Sequence, residues 1–367
     1  PPPPPPPPYL RTIYVEIDMT RFYLRAAYAA VLMASMSFAG HAADFSSNHQ
    51  INVGNFGEKG AIYGDNININ VSSDPAVSLT DSSSTLNTYS LQSSSGGKIN
   101  IVGSNGGVSV TNQKTLYIGA DDTASVEISS SGSGANAGDV SATLATKGDG
   151  SSLIVSGKTI SVSGEGENFV AGVKSGDMSQ SSRAVLKLGN KSTDSIAIKV
   201  TAKGGLGSSY GVMAYDGSEV ALDAKNIEVS VNMNALHVLS GTVKVGSDNT
   251  ETLTLRGGSY GVHMASDVNF FYEDLARPTV TLNAETIKVY GENHAINNSK
   301  GILTVGSNNT KSILLAGTKG YAIRSAIGSE TTINAQKITL IGGNAIGGSA
   351  VYNDASTVTV GSDDTQS

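Results

Sequence analysis

"GTVKVGSDNTETLTLRGGSYGV", Gly241 to Val262, decides how this chain folds, because a relative follows sixty residues later. That relative is "GILTVGSNNTKSILLAGTKGYAI", Gly301 to Ile323. In the first copy Val243 and Val245, then Leu253 and Leu255, alternate with polar residues. Period-two alternation is the mark of a strand with one buried face. The "GSDNT" and "GGSYG" clusters between the strands are turn chemistry: Gly supplies positive φ, and Asn and Asp add local hydrogen bonds.

The same strand and turn recur as "TLYIGADDT", "VLKLGNKST" and "TVTVGSDDT", placing the turn glycines at 119, 189, 246, 306 and 361. A second motif lies between them: "VALDAKNIEV" (220–229), "VTLNAETIKV" (280–289) and "TINAQKITL" (332–340). A third, shorter mark is "YGV" at 210–212 and 260–262, "HAI" at 294–296 and "YAI" at 321–323, with "NAL" at 234–236 a weaker relative. The short marks recur at about half the longer period, so the unit is two related turns. Internal repeats of this kind build solenoids or propellers. Uneven intervals, small residues beside the turns and the absence of Trp favour the solenoid. The expected fold is all-β, a right-handed parallel β-helix. One turn cannot bury its apolar face alone, so each copy stacks on the last. Val245, Val305 and Val360 are expected inside, with Lys244 and Thr304 outside. The stack should hold about twelve turns at about 4.8 Å each.

Composition agrees with strands and excludes several function classes. Of 367 residues 39% are hydrophobic, enough for a sizeable core, while only 15% are charged, which argues against disorder. Eight of the ten prolines are the first eight residues, leaving Pro75 and Pro278 in a body otherwise open to continuous ladders. A net charge of −7 argues against nucleic acid as partner, and the absence of Cys excludes disulfides and thiolate metal sites.

From Met19 the chain reads "MTRFYLRAAYAAVLMASMSFAGHAADF". Arg21 and Arg25 precede an uncharged, mostly apolar run, and small residues Gly40 and Ala42 stand before a cut between Ala42 and Ala43. This is the three-part pattern of a secretory signal peptide. The expected organisation is a misassigned leader at 1–18, a signal peptide at 19–42, an N-terminal cap with first turns at 43–110, and a repetitive stalk at 111–367. The stalk stops inside a repeat, which reads as truncation.

A signal peptide followed by degenerate "VGSDNT…LxLxGG…YGV" turns without Cys resembles the passenger regions of bacterial autotransporters (type V secretion). The resemblance covers about Ala43 to Ser367. It implies a pectin-lyase-like β-helix, export, passage through a C-terminal outer-membrane barrel encoded beyond Ser367, and display on a Gram-negative cell surface or release from it. It further implies non-catalytic adhesion or surface interaction, with a host cell surface, matrix or glycan as partner.

The alternatives are a carbohydrate-active β-helix enzyme, either a polysaccharide lyase or a hydrolase, and a secreted fibre or tailspike-like segment. A hydrolase needs paired acids on one face. Asp121–Asp122 and Asp363–Asp364 are pairs, but they sit in the repeated turn, where sister repeats carry Asp248–Asn249 or Asn308–Asn309. They read as turn residues. "KGDGSS" (147–152) imitates a protease serine turn and reads as an ordinary β-turn. His237, His263 and His294 fall near the short marks at roughly one-turn spacing, yet a zinc site needs a third or fourth ligand. No catalytic residue, metal or cofactor is therefore assigned. The sharpest local signal is "SDVNFFYEDLARP" (266–278), an insertion whose Phe270, Phe271 and Tyr272 either form a candidate binding loop, since solenoid insertions map to one face, or pack back over the stalk as a lid.

Overall fold

The computed structural model describes residues 43–365, apart from 47–49, 57, 73–74, 81–85, 135–139, 178–182, 205–207, 216, 266–276, 345–348 and 362–364. All of these belong to one of two units, Ala42–Ser367, the other being Pro1–His41. The strands are dealt in turn to three parallel sheets of eleven strands each. Sheet A runs from Ala43–Ser46 to Lys337–Ile341, sheet B from Ile51–Asn52 to Val351–Asp354, and sheet C from Ala61–Gly64 to Thr357–Val360. Each strand pairs with the strand three places further along the chain, one turn on. This is a parallel β-helix, with the right-handed sense that parallel crossovers take. A 3-10 turn spans Val53–Phe56.

The interior is built from columns of like residues in register. In sheet C, Leu153 lies on Leu186, Leu186 on Val220, Val220 on Val243 and Val243 on Val280, all of them buried. Val243, Val245, Leu253, Leu255 and Val305 are fully buried, and Lys244 is exposed. Burying such a side chain contributes about 1.5–3 kcal/mol, so the alternation read in the sequence is the main cohesive force. Val360 departs from expectation. It keeps the interior register opposite Ile333 but is 45% exposed, because no described turn stacks on the far side of its strand.

Why the longer motif recurs only every second turn follows from a threonine. In the "GSDNT" turn Ser247 N–H donates to Thr250 Oγ1 (3.0 Å), and Thr250 Oγ1 donates to the carbonyl of Ala224 (2.8 Å) in the turn below. Thr310 does the same to Ala284 (2.8 Å), and Thr365 to Ala335 (2.9 Å). A threonine turn thus sits on an alanine turn. Gly246 opens the former at φ +81°, and a Cβ there would stand 2.0 Å from the carbonyl oxygen of Asn283 in the next turn. Only glycine meets both conditions. Turns differ in length: Val220 stacks on Val243, but Val243 stacks on Val280. The described residues make eleven turns, where the expected count was about twelve.

Candidate functional site

The short "YGV/NAL/HAI/YAI" mark lies in sheet B, where it bends the strand. In a regular strand, residues three apart point to opposite faces. Here two successive residues point inward: Val212 is fully buried, and a Cβ on Gly211 would stand 2.2 Å from Val229 Cγ1. Tyr210 and Met213 consequently share the outer face, where they join a second apolar cluster with Tyr215 and Leu239. The small second residue of each mark (Gly211, Ala235, Gly261, Ala295, Ala322) is what permits the bend.

Two columns therefore run along the outside of sheet B. The first stacks Tyr210, Asn234, Tyr260 and His294 in register. The second stacks Lys174, Met213, His237, His263, Asn297, Arg324 and Tyr352. Rings from both columns interleave. Tyr210 meets His237 (centroids 4.9 Å), His237 meets His263 (5.0 Å), and Tyr260 stacks on His263 (4.8 Å, 20°). The series continues through His294 (5.6 Å from Tyr260) to Tyr321 (5.3 Å) and Tyr352 (5.2 Å). Arg324 lies 6.0 Å from the Tyr352 ring and donates through Nη1 to Asn297 Oδ1 (2.9 Å).

The first column breaks at Asn234. Its side chain is fully buried between the turns that carry Tyr210 and Tyr260, and its Nδ2 lies 3.2 Å from His237 Nδ1 and 3.4 Å from His263 Nδ1. The two imidazoles face each other, Nδ1 to Nδ1, at 3.0 Å. Asn234 Oδ1 is the one buried side-chain polar atom without a hydrogen-bond partner among the described residues. Burial, then the neighbouring His263, lowers the His237 pKa to about 3. Burial, then Arg324 and His294, lowers that of His263 to about 4. Both rings are neutral at physiological pH. His294 is also lowered, chiefly by burial, and its Nδ1 accepts the Tyr321 N–H (3.0 Å).

Towards the N-terminal turns the same face holds a groove of about 470 Å³, lined by Ser109, Thr111, Ser141, Lys147, Lys174 and Asp177 among others. Lys147 pairs there with Asp177.

The sequence candidates fall as follows. Asp121 sits in its turn and accepts from Asn190 Nδ2 (2.7 Å), while the backbone carbonyl of Asp122 accepts the Gly96 N–H (2.9 Å). Asp248 accepts from Asn283 (2.8 Å) in the corresponding place, so these acids tie turns together. Ser151 of "KGDGSS" is fully buried, and its Oγ accepts the Gln113 N–H (3.3 Å). His237 and His263 converge, whereas His294 belongs to the other column. Among the described residues no three His, Asp or Glu side chains are grouped to hold a metal. Phe270, Phe271, Tyr272, Asp363, Asp364 and Ala42 lie outside the described residues, while Ala43 opens the first strand. The aromatic ladder and Asn234 escaped the sequence reading. The signal for them was the ring that begins most of the short marks in a chain only 6% aromatic.

No protein-family model, curated protein or solved structure matches this chain significantly.

Proposed function

We propose that this chain is an exported, non-catalytic β-helical passenger of the autotransporter kind, acting in adhesion at a Gram-negative cell surface or after release from it. The observation that carries this reading is the difference between the outer faces of sheets B and C. The outward positions at the centre of sheet C's strands are occupied in succession by Lys187, Ala221, Lys244, Thr281, Thr304 and Thr332. Sheet B instead presents a continuous strip of rings, imidazoles, Arg324 and Lys174, leading into the hydroxyl-lined groove. A scaffold that elaborates one long face is suited to holding an extended partner. The groove's Ser, Thr and Lys groups suit a hydroxylated or acidic glycan chain on a host surface or matrix. Export is supported by the coincidence of two boundaries: the expected cut precedes Ala43, and the first strand begins at Ala43.

The test is attachment of the purified chain to glycan arrays and cultured cells, comparing wild type with Ser141→Trp, which fills the groove, and Lys174→Ala. Loss of attachment with unchanged melting supports the reading. Attachment that ignores both variants removes the groove from it, and polysaccharide cleavage by the wild type replaces adhesion with catalysis.

A further inference from the structure

We propose that Asn234, His237 and His263 form a binding site for one divalent transition-metal ion of the zinc, copper and nickel class, using the two Nδ1 atoms and the amide oxygen. His237 Nδ1 and His263 Nδ1 lie 3.0 Å apart, and the Asn234 amide atom that faces them, placed as Nδ2, lies 3.2 and 3.4 Å from them. Tetrahedral zinc with bonds of 2.0–2.1 Å spaces its ligand atoms about 3.3 Å apart, so the triangle has the dimensions of one face of a coordination tetrahedron. A half-turn of the amide exchanges its two polar atoms, which are distinguished only by their partners. That rotation brings the oxygen onto the two ring nitrogens and sets the amide nitrogen in the buried position that has no partner.

The arrangement without a metal is incompletely satisfied. Two facing Nδ1 atoms share one proton, and a buried amide oxygen is left without a donor, an arrangement that natural structures seldom keep without a reason. The local sequence is also singular. Beyond Ala142 and Ala171 this column carries rings at Tyr210, Tyr260 and His294, and Asn interrupts them where two imidazoles face each other on adjacent turns. Imidazole nitrogen is the preferred ligand of this metal class. His237 and His263 are partly rather than fully buried, which leaves an entry path. Arg324, two turns along the same column from His263, opposes a cation there.

The experiment is titration of the full chain, purified without a histidine tag, with Zn²⁺ by calorimetry and with Cu²⁺ by electron paramagnetic resonance. One equivalent of each is expected at micromolar concentration, with two nitrogens coupled to copper. His263→Asn should weaken binding at least tenfold and remove one nitrogen, while His294→Asn, in the other column, should change neither. Circular dichroism checks that each variant is folded; the nitrogen count on the wild type needs no variant. Wild-type affinity weaker than millimolar, a copper signal without two nitrogens, or binding unchanged in His263→Asn would each overturn the proposal.

Discussion

His237 and His263 stand one above the other on adjacent turns, their Nδ1 atoms 3.0 Å apart and both rings held neutral by burial. Strands alone would keep them about 4.8 Å apart, so the rings lean together and share a hydrogen-bonded position with Asn234.

That pairing sets an acid limit on stability. Both folded pKa values, about 3 and about 4, lie below the ordinary 6.5. Above 6.5 the rings are neutral folded or unfolded, so the pair costs nothing there. Below 6.5 the unfolded chain takes up protons that the folded chain refuses, and stability falls until the pH reaches the folded values. At about 1.4 kcal/mol per pKa unit, the loss is at most roughly 3–5 kcal/mol for each ring, less where solvent reaches it. Urea unfolding at pH 7.5 and pH 4.5 should show it. His263→Asn, the residue found one turn on in the same column as Asn297, should flatten the dependence. An unchanged slope would mean that other groups set the acid limit.

Gly246→Ala tests the stacked turns. The substitution meets both a φ of +81° and a carbonyl oxygen 2.0 Å from the new methyl. Gly96→Ala meets a φ of +74° with nothing within 4 Å. Left-handed strain alone costs about 1–2 kcal/mol. Gly96→Ala should lose that much, and Gly246→Ala at least a further 1–3 kcal/mol on the scale of overpacking. Equal losses in thermal melts would show that the neighbouring turn yields freely.

Much of this was legible in the residues. Alternation in "TVKV" and "TLTL" placed Val243, Val245, Leu253 and Leu255 in the core, and the paired motifs foretold alternating turns. The outer face was not legible, because alternation cannot foresee that Gly211 and Val212 both point inward. That bend puts Tyr210 beside Met213, Asn234 beside His237 and Tyr260 beside His263. Without it the three histidines read as one column, whereas His294 lies in register with Tyr260.

Asn298 should be the costliest polar residue to remove. It is fully buried, its Nδ2 reaches Gly301 O (3.2 Å), Glu330 O (3.0 Å) and Thr331 Oγ1 (3.0 Å), and its Oδ1 accepts the Gly301 N–H (3.0 Å). Asn298→Leu keeps the branching of the side chain while these groups lose their partners, and Met264 shows that the column accepts an apolar residue one turn before. At about 1–3 kcal/mol for each buried group left unpaired, the loss should exceed about 3 kcal/mol by chemical denaturation. A variant within 1 kcal/mol of wild type, on that same scale, would show that water satisfies the corner.

Asp121→Asn with Asp122→Asn separates turn chemistry from catalysis. Asn keeps the oxygen that Asn190 donates to, and sister turns already carry Asn. Stability should shift by less than about 1 kcal/mol, with attachment unaltered. A polysaccharide-cleaving activity present in wild type and lost in this pair would reverse the non-catalytic reading.

Tyr260 separates what the ladder does for stability from what it offers a partner. Its ring lies 4.8 Å from that of His263 and 5.6 Å from that of His294. Rings stacked along the axis cover one another's faces, so a partner meets their edges: hydroxyls, imidazole nitrogens and C–H rims. Tyr260→Phe keeps the stack and removes one hydroxyl, and should leave melting unchanged. Tyr260→Ala opens a gap between two imidazoles. It loses two ring contacts worth about 0.5–1.5 kcal/mol each beyond their buried area, and should melt several degrees lower. If the strip binds a glycan through its edges, attachment should already fall in the Phe variant, before stability does. Attachment that falls only with the Ala variant, in step with melting, would assign Tyr260 to the scaffold alone.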